Sequence, residues 1–243
     1  MLFGKKLLAR LDFYRPKPLA PLPRYSGSIQ VERDGVLEKI SVESFEKLTG
    51  AAFVPRLEFA DAALLADLVK RGEKLHKKGL LSQEQLWFGS YYRKEIETPL
   101  LPDLFLRWID PSLGWGVFAN RDFKKREFIA EYAGKLRRWK KEDNKNSYCF
   151  EYAVSSGIAT PYTIDAQDQG GIARFINHSA APNLTAALAT VGSISHVILY
   201  ASGPIPKGAQ LCYDYGPDYW SKRSAPLPIN GPINGPIDGK IFR

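Results

Sequence analysis

The chain has 243 residues, of which 44% are hydrophobic, so it is long enough for one large domain, or one domain with an extension, around a substantial core. Its two cysteines are too few for a structural zinc site or a disulfide framework, which predicts no metal centre and favours a reducing compartment. The formal net charge of +8 suits contact with nucleic acid, an acidic membrane face or an acidic partner, but a basic surface without such a partner is an equal alternative.

The first 28 residues are basic and rich in proline. We expect a short helix over about residues 2–13 and then an extended arm, because closely spaced prolines stop a helix. The start lacks a long apolar core and a small-residue cleavage site, so it is a poor match to a secretory signal. No apolar run approaches the roughly 20 residues that a membrane-spanning helix needs.

The next segment predicts a hairpin followed by a capped helix. Residues 29–40 alternate apolar and polar side chains around Asp34-Gly35, a dipeptide typical of tight hairpin turns. Ser41 or Ser44 can cap a short helix, and Gly50 can end it.

Two further helices are predicted at residues 60–78 and 82–96. The first has one apolar face and ends at Gly79, and the second begins at Ser82. The residues of the second helix expected to be buried are Leu86, Trp87, Tyr91 and Tyr92. We expect this third of the chain to be a helical extension packed on the remainder. Docking of a substrate or partner is the alternative role.

Short β-type runs dominate after the prolines at positions 99 and 102. They predict small sheets and few helices, that is, a mixed α+β and mainly β fold. No Gly-x-Gly-x-x-Gly turn is present, which argues against a Rossmann-type cofactor site. The predicted strands cover residues 104–109, 115–119, 128–132, 148–153, 162–165, 196–201 and 210–213.

The stretch Gly-Ile-Ala-Arg-Phe-Ile-Asn-His-Ser-Ala-Ala-Pro-Asn at residues 171–183 mixes apolar residues with hydrogen-bonding groups. Arg174, Asn177 and His178 in such surroundings suit a buried polar site, where each polar group needs a partner. Taken alone, however, an Asn-His pair is more often an ordinary core histidine near a helix end.

Other motifs accompany this stretch in a fixed order. They are Gly-Trp-Gly-Val-Phe at 114–118, Glu-Tyr-Ala-Gly at 131–134, Asn-Ser-Tyr-Cys-Phe at 146–150, Tyr-Thr-Ile-Asp-Ala at 162–166 and Gln-Leu-Cys-Tyr-Asp-Tyr-Gly at 210–216. Over roughly residues 104–220 the sequence resembles the SET domain of protein lysine methyltransferases, and within that family the small bacterial proteins of chlamydial type. The resemblance implies several small sheets, a pseudoknot and S-adenosylmethionine-dependent protein-lysine N-methyltransferase activity.

This resemblance divides the chain into three parts. Residues 1–100 are expected to form an N-terminal arm and helical extension, 101–223 the SET catalytic domain and 224–243 a Pro/Gly-rich tail. The tail lacks the zinc-binding cysteine cluster that completes the cofactor pocket in many SET enzymes. We therefore expect Trp220, or Ile241 and Phe242 folding back, to cover the site.

The resemblance also assigns the site residues. Tyr148, Tyr213 and Tyr215 are expected to line the lysine channel and carry the chemistry, and a tyrosine at 213 predicts mono- or dimethylation. From the residues alone, any one of these tyrosines would more often be sheet packing. The residues expected to hold S-adenosylmethionine are Gly114, Trp115, Gly116, Tyr148, Arg174, Asn177, His178, Tyr215 and Trp220.

Several alternatives stay open at this level. The expected substrate is a histone or histone-like basic protein, while the alternatives are a catalytically silent SET-fold module that binds chromatin or DNA and a methyltransferase of a non-histone protein. The basic block at 135–146 is either a solvated insert or a groove- or phosphate-contacting segment. We interpret Glu131, Asp165 and Asp214 as structural hydrogen-bonding groups rather than hydrolase carboxylates. The expected location is the bacterial cytoplasm or, alternatively, the nucleus of a host cell after secretion.

Overall fold

The computed structural model describes residues 25–98, 101 and 103–221. The predicted helix at 2–13, the prolines at 99 and 102 and the tail from residue 224, including Ile241 and Phe242, lie outside the described residues. Within these ranges, none of the helices is long and apolar enough to span a membrane.

A four-stranded sheet joins the N-terminal hairpin to the motif-bearing part of the chain. Strands β1 (Ser28–Arg33) and β2 (Val36–Ser41) form the predicted antiparallel hairpin around Asp34-Gly35. Strand β1 also pairs in parallel with β5 (Leu104–Asp110), which pairs with β6 (Gly114–Ala119). The resulting order is β2-β1-β5-β6.

Side-chain caps define the starts of the first two helices, and Ser41, the cap of the first, is one of the two predicted candidates. Helix α1 (Val42–Thr49) begins after Ser41, whose hydroxyl accepts a hydrogen bond from the Ser44 amide, and ends at Gly50, which has a φ of 72°. Helix α2 (Ala62–Lys77) begins after Asp61, whose carboxylate accepts from the Leu64 amide. Both helices lie where the sequence predicts them, because serine and aspartate side chains satisfy the free amides of a first turn.

The segment predicted as one helix at 82–96 forms two, α3 (Gln83–Tyr91) and α4 (Arg93–Glu97). The interruption is at Tyr92, which is buried and donates a hydrogen bond to the Arg126 carbonyl. The expected burial is confirmed for Tyr92, while Leu86 is half-buried. It is wrong for Trp87 and Tyr91, since 44% and 58% of these residues remain exposed. The buried face of α3 instead carries Gln85, Phe88 and Gly89.

A second sheet again combines segments from both parts of the chain. Its strands are β3 (Ala52–Phe53), β4 (Glu58–Phe59), β8 (Gly134–Arg138), β9 (Cys149–Ser155) and β10 (Ile158–Gly170). The main path is β3-β10-β8-β4, and β9 pairs with β10. The two strands from the N-terminal part, β3 and β4, pair in parallel with their neighbours.

Two smaller sheets complete the fold. Their strands are β7 (Phe128–Glu131), β11 (Asn177–His178), β12 (Leu184–Val191), β13 (Ile194–Ala201) and β14 (Cys212–Tyr213). One sheet has the order β12-β13-β7, and the other is a parallel pair, β11-β14. A last short helix, α5 (Pro217–Trp220), follows β14.

The prediction of a mainly β fold with several small sheets is confirmed. The prediction of a helical N-terminal extension is not supported, because residues 28–59 supply four strands that pair with one another and with the later part of the chain. One large apolar cluster, which includes Ile29, Phe45, Leu106 and Ile164, fills the space between these layers. The domain boundaries remain predictions.

Candidate active site where two distant segments meet

The Asn-His stretch and the late tyrosine strand lie side by side. Asn177 pairs with Cys212 and His178 with Tyr213 in the parallel β11-β14 ladder. The Ser179 amide extends the ladder by donating to the Tyr213 carbonyl at 3.2 Å. Segments that are far apart in sequence are thereby fixed in one register.

Asn183 ties the same two segments together through its side chain. Its Nδ2 donates to the Gln210 carbonyl at 2.8 Å, and its Oδ1 accepts from the Cys212 amide at 2.9 Å. The side chain is buried. The Asn183 amide group therefore makes the two hydrogen bonds that a neighbouring strand would otherwise make to the Gln210 carbonyl and the Cys212 amide.

A cavity of about 1290 Å³ opens beside this junction. It brings together nearly all the residues that the sequence assigns to the site: Gly114, Trp115, Tyr148, Arg174, Asn177, His178, Tyr213, Tyr215 and Trp220. Gly116 is the exception, because it is buried behind the lining, where a Cβ would come within 2.6 Å of the Ile109 side chain. The functional roles of these residues remain predictions.

The polar groups of Asn177 and His178 are engaged with the protein backbone. Asn177 Nδ2 donates to the Trp115 carbonyl at 3.2 Å. His178 Nδ1 accepts from the Tyr215 amide at 3.2 Å, which leaves the ring proton on Nε2. Burial lowers the pKa of His178, against an opposing effect of Asp214, so the ring is neutral and has a structural part in the site.

Trp220 lines the cavity beside His178 and Tyr215. Its ring lies 4.8 Å from the His178 ring and 6.1 Å from that of Tyr215, to which it is nearly parallel. Its Nε1 is buried without a hydrogen-bond partner among the described residues. A buried donor of this kind normally finds an acceptor, so this atom is an exception among the described residues.

A cluster of tyrosines, with Tyr213 buried and Tyr215 partly buried, forms a further part of the lining. The rings of Tyr213 and Tyr215 are 4.7 Å apart, and the Tyr215 hydroxyl donates to the Ile176 carbonyl at 2.7 Å. Burial raises the pKa of Tyr132, Tyr213 and Tyr215 well above the ordinary value. These hydroxyls are therefore neutral dipoles over the whole physiological range and cannot serve as bases.

Seven aromatic residues of this lining are not among the site residues assigned from the sequence: Trp108, Tyr132, Trp139, Phe150, Tyr162, Phe175 and Tyr219. The Tyr132 hydroxyl donates to the Tyr148 carbonyl at 3.0 Å, and its ring lies 5.1 Å from that of Phe150. The Tyr219 ring meets the Tyr215 ring at 4.8 Å. Tyr132 and Phe150 both lie inside motifs that carry the resemblance, which was the available signal.

Arg174 holds the ring of Tyr148 from one side. Its guanidinium carbon is 4.2 Å from the centre of that ring, and the group donates to the carbonyls of Ala166 and Gln167 at 2.7 and 2.9 Å. Burial lowers its pKa, but an arginine remains charged at any physiological pH. The contact thus fixes Tyr148 by a cation–π interaction.

A charged network fixes the backbone of Tyr148. Arg137 binds Asp143 and also Asp165, in each case with a shortest distance of 2.7 Å. Asp165 accepts from Asn146 Nδ2 at 3.0 Å, and Asn146 Oδ1 accepts from the Tyr148 amide at 2.9 Å. The basic block therefore includes a shielded arginine that anchors the segment leading to Tyr148.

The carboxylates singled out in the sequence have structural hydrogen bonds. Glu131 binds His196 at 2.7 Å and accepts from the Leu57 amide, while Asp214 accepts from the Gly216 amide. Burial raises the pKa of the Cys149 thiol to about 11 and that of Cys212 to about 12. The described residues contain no group of three or more His, Cys, Asp or Glu side chains suited to a metal ion.

Comparison with known proteins gives a family match for the segment that supplies most of the cavity lining. Residues 114–216 match the family model of the SET domain. Among curated proteins, the chain is 37% identical over 110 residues to a histone-lysine N-methyltransferase, H3 lysine-4 specific, of Chaetomium globosum, covering 42% of this chain and 10% of that protein. It is 33% identical over 114 residues to histone-lysine N-methyltransferase Su(var)3-9 of Drosophila melanogaster, covering 42% and 18%.

Solved structures with similar segments cover about half of the chain. The structure of KRYPTONITE with mCHG DNA and SAH is 31% identical, with a TM-score of 0.40, over 46% of this chain and 23% of that one. Arabidopsis thaliana SUVH6 with SAM is 33% identical, with a TM-score of 0.41, over 48% and 27%. This chain spans less than a fifth of the two curated relatives named above.

Proposed function

We propose that the protein is an S-adenosylmethionine-dependent protein-lysine N-methyltransferase. The observation that carries this proposal is the meeting of Asn177-His178 with Tyr213 and Tyr215 beside Gly114-Trp115 at one cavity. The relatives named as histone-lysine N-methyltransferases, at 37% and 33% identity over 42% of this chain, support it.

The residues around Gly114 and Trp220 fit the methyl donor. Gly114 has a φ of 71°, and a Cβ there would have its nearest neighbour 3.9 Å away, so the backbone leaves room for a ligand. Trp115, His178 and Trp220 offer aromatic surface, and the buried Trp220 Nε1 needs an acceptor. When bound, S-adenosylmethionine supplies an electrophilic methyl group on a sulfonium.

The tyrosine wall suits the acceptor amine. A lysine amine attacks only when neutral, and an apolar aromatic channel lowers its pKa by penalising the charged form. The neutral hydroxyls of Tyr132 and Tyr215 can orient the amine without competing for its proton. The rings exclude water, and a fixed geometry supports in-line attack.

The charges on the lining favour a cationic substrate. Glu151 and Asp218 are exposed carboxylates on the cavity wall, and among the described residues Arg174 is the one lysine or arginine there. Opposite charge attracts a basic segment and positions it. We therefore propose a histone or histone-like basic protein as substrate, mono- or dimethylated because Tyr213 narrows the channel.

The decisive test is radiolabelled methyl transfer onto histones, bacterial histone-like proteins and total lysate. We expect labelling by the wild-type chain and at least a tenfold loss, about 1.4 kcal/mol, in Tyr215→Phe. Calorimetric titration with S-adenosylhomocysteine provides the second readout. No uptake of this ligand and no label would contradict the proposal, and salt-dependent DNA binding in that case would favour a silent chromatin-binding module.

The cover of the cofactor end can be tested separately. We propose that Trp220 supplies it, with or without Ile241 and Phe242. Deleting residues 225–243 and measuring the affinity for S-adenosylhomocysteine separates these cases, since an unchanged affinity rules out the tail as part of the cover. Trp220→Ala should weaken binding in either case.

We further propose that the protein is of the small bacterial, chlamydial type and acts in the bacterial cytoplasm or, after secretion, in a host nucleus. The presence of only two cysteines, neither of them after residue 212, supports this type. Immunolocalisation in the source organism and its host tests the location, and a different compartment would refute it.

A further inference from the structure

Arg126 adopts a backbone conformation that normally calls for glycine. The Glu127 amide donates to the Lys124 carbonyl at 3.1 Å, which closes a turn with Lys125 and Arg126 at its centre. Arg126 has a φ of 65°. A side chain is strained there because its Cβ crowds the backbone.

A neighbouring turn shows the usual solution. Phe123 and Ile205 bind each other through both backbone groups, at 2.8 and 2.9 Å, and a turn of the same type follows each of them. In the second turn the equivalent position is Gly208, with a φ of 84°. A strained residue kept where glycine would fit suggests a function for its side chain, in this case that of Arg126.

The surrounding structure fixes Arg126 from both sides. Its amide donates to the Ala201 carbonyl at 2.8 Å, and its carbonyl accepts from the buried Tyr92 hydroxyl. The guanidinium carbon then lies 5.9 Å from the centre of the Trp87 ring. The strained turn thus carries a positive charge to an aromatic surface.

That surface is a pair of stacked rings on α3. Trp87 and Tyr91 lie one helical turn apart, with ring centres 4.7 Å apart and planes inclined by 13°. They are 44% and 58% exposed. Phe88 and Tyr92 behind them are buried and contact these rings edge-on. These ring contacts fix the orientation of Trp87 and Tyr91 at the surface, so binding a ligand would cost little additional side-chain conformational entropy.

Exposed basic residues lie near the pair, alongside two acidic ones. Lys124 and Lys125 precede Arg126 in its turn, Lys94 lies in the helix that follows Tyr91, and the acidic neighbours are Glu84 and Glu95; all five are exposed. None of these residues lines the cavity described above. The surface formed by Trp87, Tyr91 and Arg126 is therefore separate from the candidate active site.

We propose that this surface binds single-stranded nucleic acid, with a base stacked on the Trp87–Tyr91 pair and a phosphate bound by Arg126. Stacked aromatic rings next to cations recognise a ligand that has both planar faces and negative charge. Insertion into a lipid surface is less suited, because the exposed neighbours on α3 are Gln83, Glu84 and Ser90 rather than aliphatic residues. This proposal does not depend on methyl transfer.

Fluorescence polarisation with a labelled oligothymidylate of about 12 nucleotides tests the proposal. Tyr91→Ala should weaken binding about tenfold, as expected for loss of one stacking partner, without changing the salt dependence. Arg126→Gly should also weaken binding and should reduce the slope of log K against log salt by about 0.7, which corresponds to one phosphate contact.

The control variant is Lys39→Ala, which removes one charge from an exposed position on β2 and should change the affinity by less than about twofold. Arg126→Gly should keep or raise the melting temperature, because glycine adopts this conformation freely, so lost binding cannot be attributed to unfolding. Equal binding of an abasic oligonucleotide, or wild-type affinity in both surface variants, would overturn the proposal. So would variants that lose binding to phosphatidylserine vesicles while they keep wild-type affinity for the oligonucleotide.

Discussion

Tyrosine hydroxyls surround the candidate lysine channel, and their chemical state follows from burial. Desolvation raises the pKa of Tyr132, Tyr213 and Tyr215 above the ordinary value near 10. Below that value these groups stay protonated in the folded protein. Any titration seen in the rate between pH 7 and 10 then belongs to another group, which in the proposed reaction is the substrate lysine.

We therefore expect the rate of methyl transfer to rise with pH between about 7 and 10, because the fraction of neutral amine rises. The measurement is single-turnover methylation at saturating S-adenosylmethionine, so that chemistry limits the rate. A flat profile under these conditions would contradict the proposed attack by a neutral lysine.

Tyr213 tests how the channel limits the product. Its buried ring lies 4.7 Å from that of Tyr215, and the Tyr213→Phe change removes one hydroxyl while keeping the ring. The space gained should admit an additional methyl group and shift the product toward trimethyl-lysine, as read by mass spectrometry. Tyr200→Phe, outside the cavity lining, is the control, and an unchanged product mass in Tyr213→Phe would count against the assignment.

His178 should make stability depend on pH. Burial lowers its folded pKa below the unfolded value of about 6.5, so the unfolded chain takes up the proton first on acidification. Stability is then complete above that value and falls as the pH decreases through it. Denaturant melts at pH 7.5 and 5.5 should show a smaller loss in His178→Gln than in the wild type, and equal losses would refute the role of the histidine.

At the scale of elements, helix α3 approaches β12 more closely than a side chain would allow. A Cβ built at Gly89 comes within 1.8 Å of the Thr190 carbonyl oxygen. The neighbouring Gln85 side chain, also buried, donates to Thr190 Oγ1 at 2.7 Å and to the Val154 carbonyl at 2.7 Å. Helix α3 therefore packs on the sheet of β12 through the backbone at Gly89, and the Gln85 side chain links it both to that sheet and to the sheet of β9.

Gly89→Ala should consequently destabilise the protein by about 1–3 kcal/mol, because the overlap with backbone outweighs the gain of about 1 kcal/mol in helix propensity. Ser90→Ala, at the next and exposed position of α3, should be neutral or slightly stabilising. Urea unfolding of both variants gives the comparison. A Gly89→Ala protein as stable as Ser90→Ala would mean that α3 does not pack as described.

Capping and turn signals were readable in the sequence at this scale. Ser41, Gly50 and Ser82 determine helix ends through local hydrogen bonds and backbone freedom. The two-residue strands β3 and β4 were not readable, since so short a run has no periodicity and forms only where a neighbouring strand offers pairing. The exposure of Trp87 was also missed, because apolar character alone does not tell which face of a helix meets the core.

For the molecule as a whole, the crossing of the Asn-His segment and the late strand holds the site together. The two-residue ladder of β11 and β14 is short, so the buried side chain of Asn183, with bonds to both backbone groups of the Gln210–Cys212 segment, carries much of the connection. The tyrosine wall and the His178 side would separate if this connection loosened.

Asn183→Ala should cost about 2–3 kcal/mol in unfolding free energy, because it leaves a buried donor and acceptor without partners. It should also weaken S-adenosylhomocysteine binding under conditions where the variant remains folded. Asn120→Ala, which loses one partly buried bond to Gln30, should cost about 1 kcal/mol or less and leave binding unchanged. Denaturant melts and calorimetry read both effects, and equal losses in the two variants would refute the role of Asn183.

By itself the sequence determined the mainly β character, the hairpin, the helix caps and the motif residues that converge on the cavity, because periodicity, turn chemistry and short motifs are local properties of the chain. Only the tertiary structure decided that the N-terminal segment supplies strands to two sheets, that further aromatic residues such as Tyr132, Phe150 and Tyr219 join the cavity lining, and that Arg126 meets Trp87. These arrangements depend on contacts between residues far apart in sequence, whose free energy is gained only when the whole chain has folded.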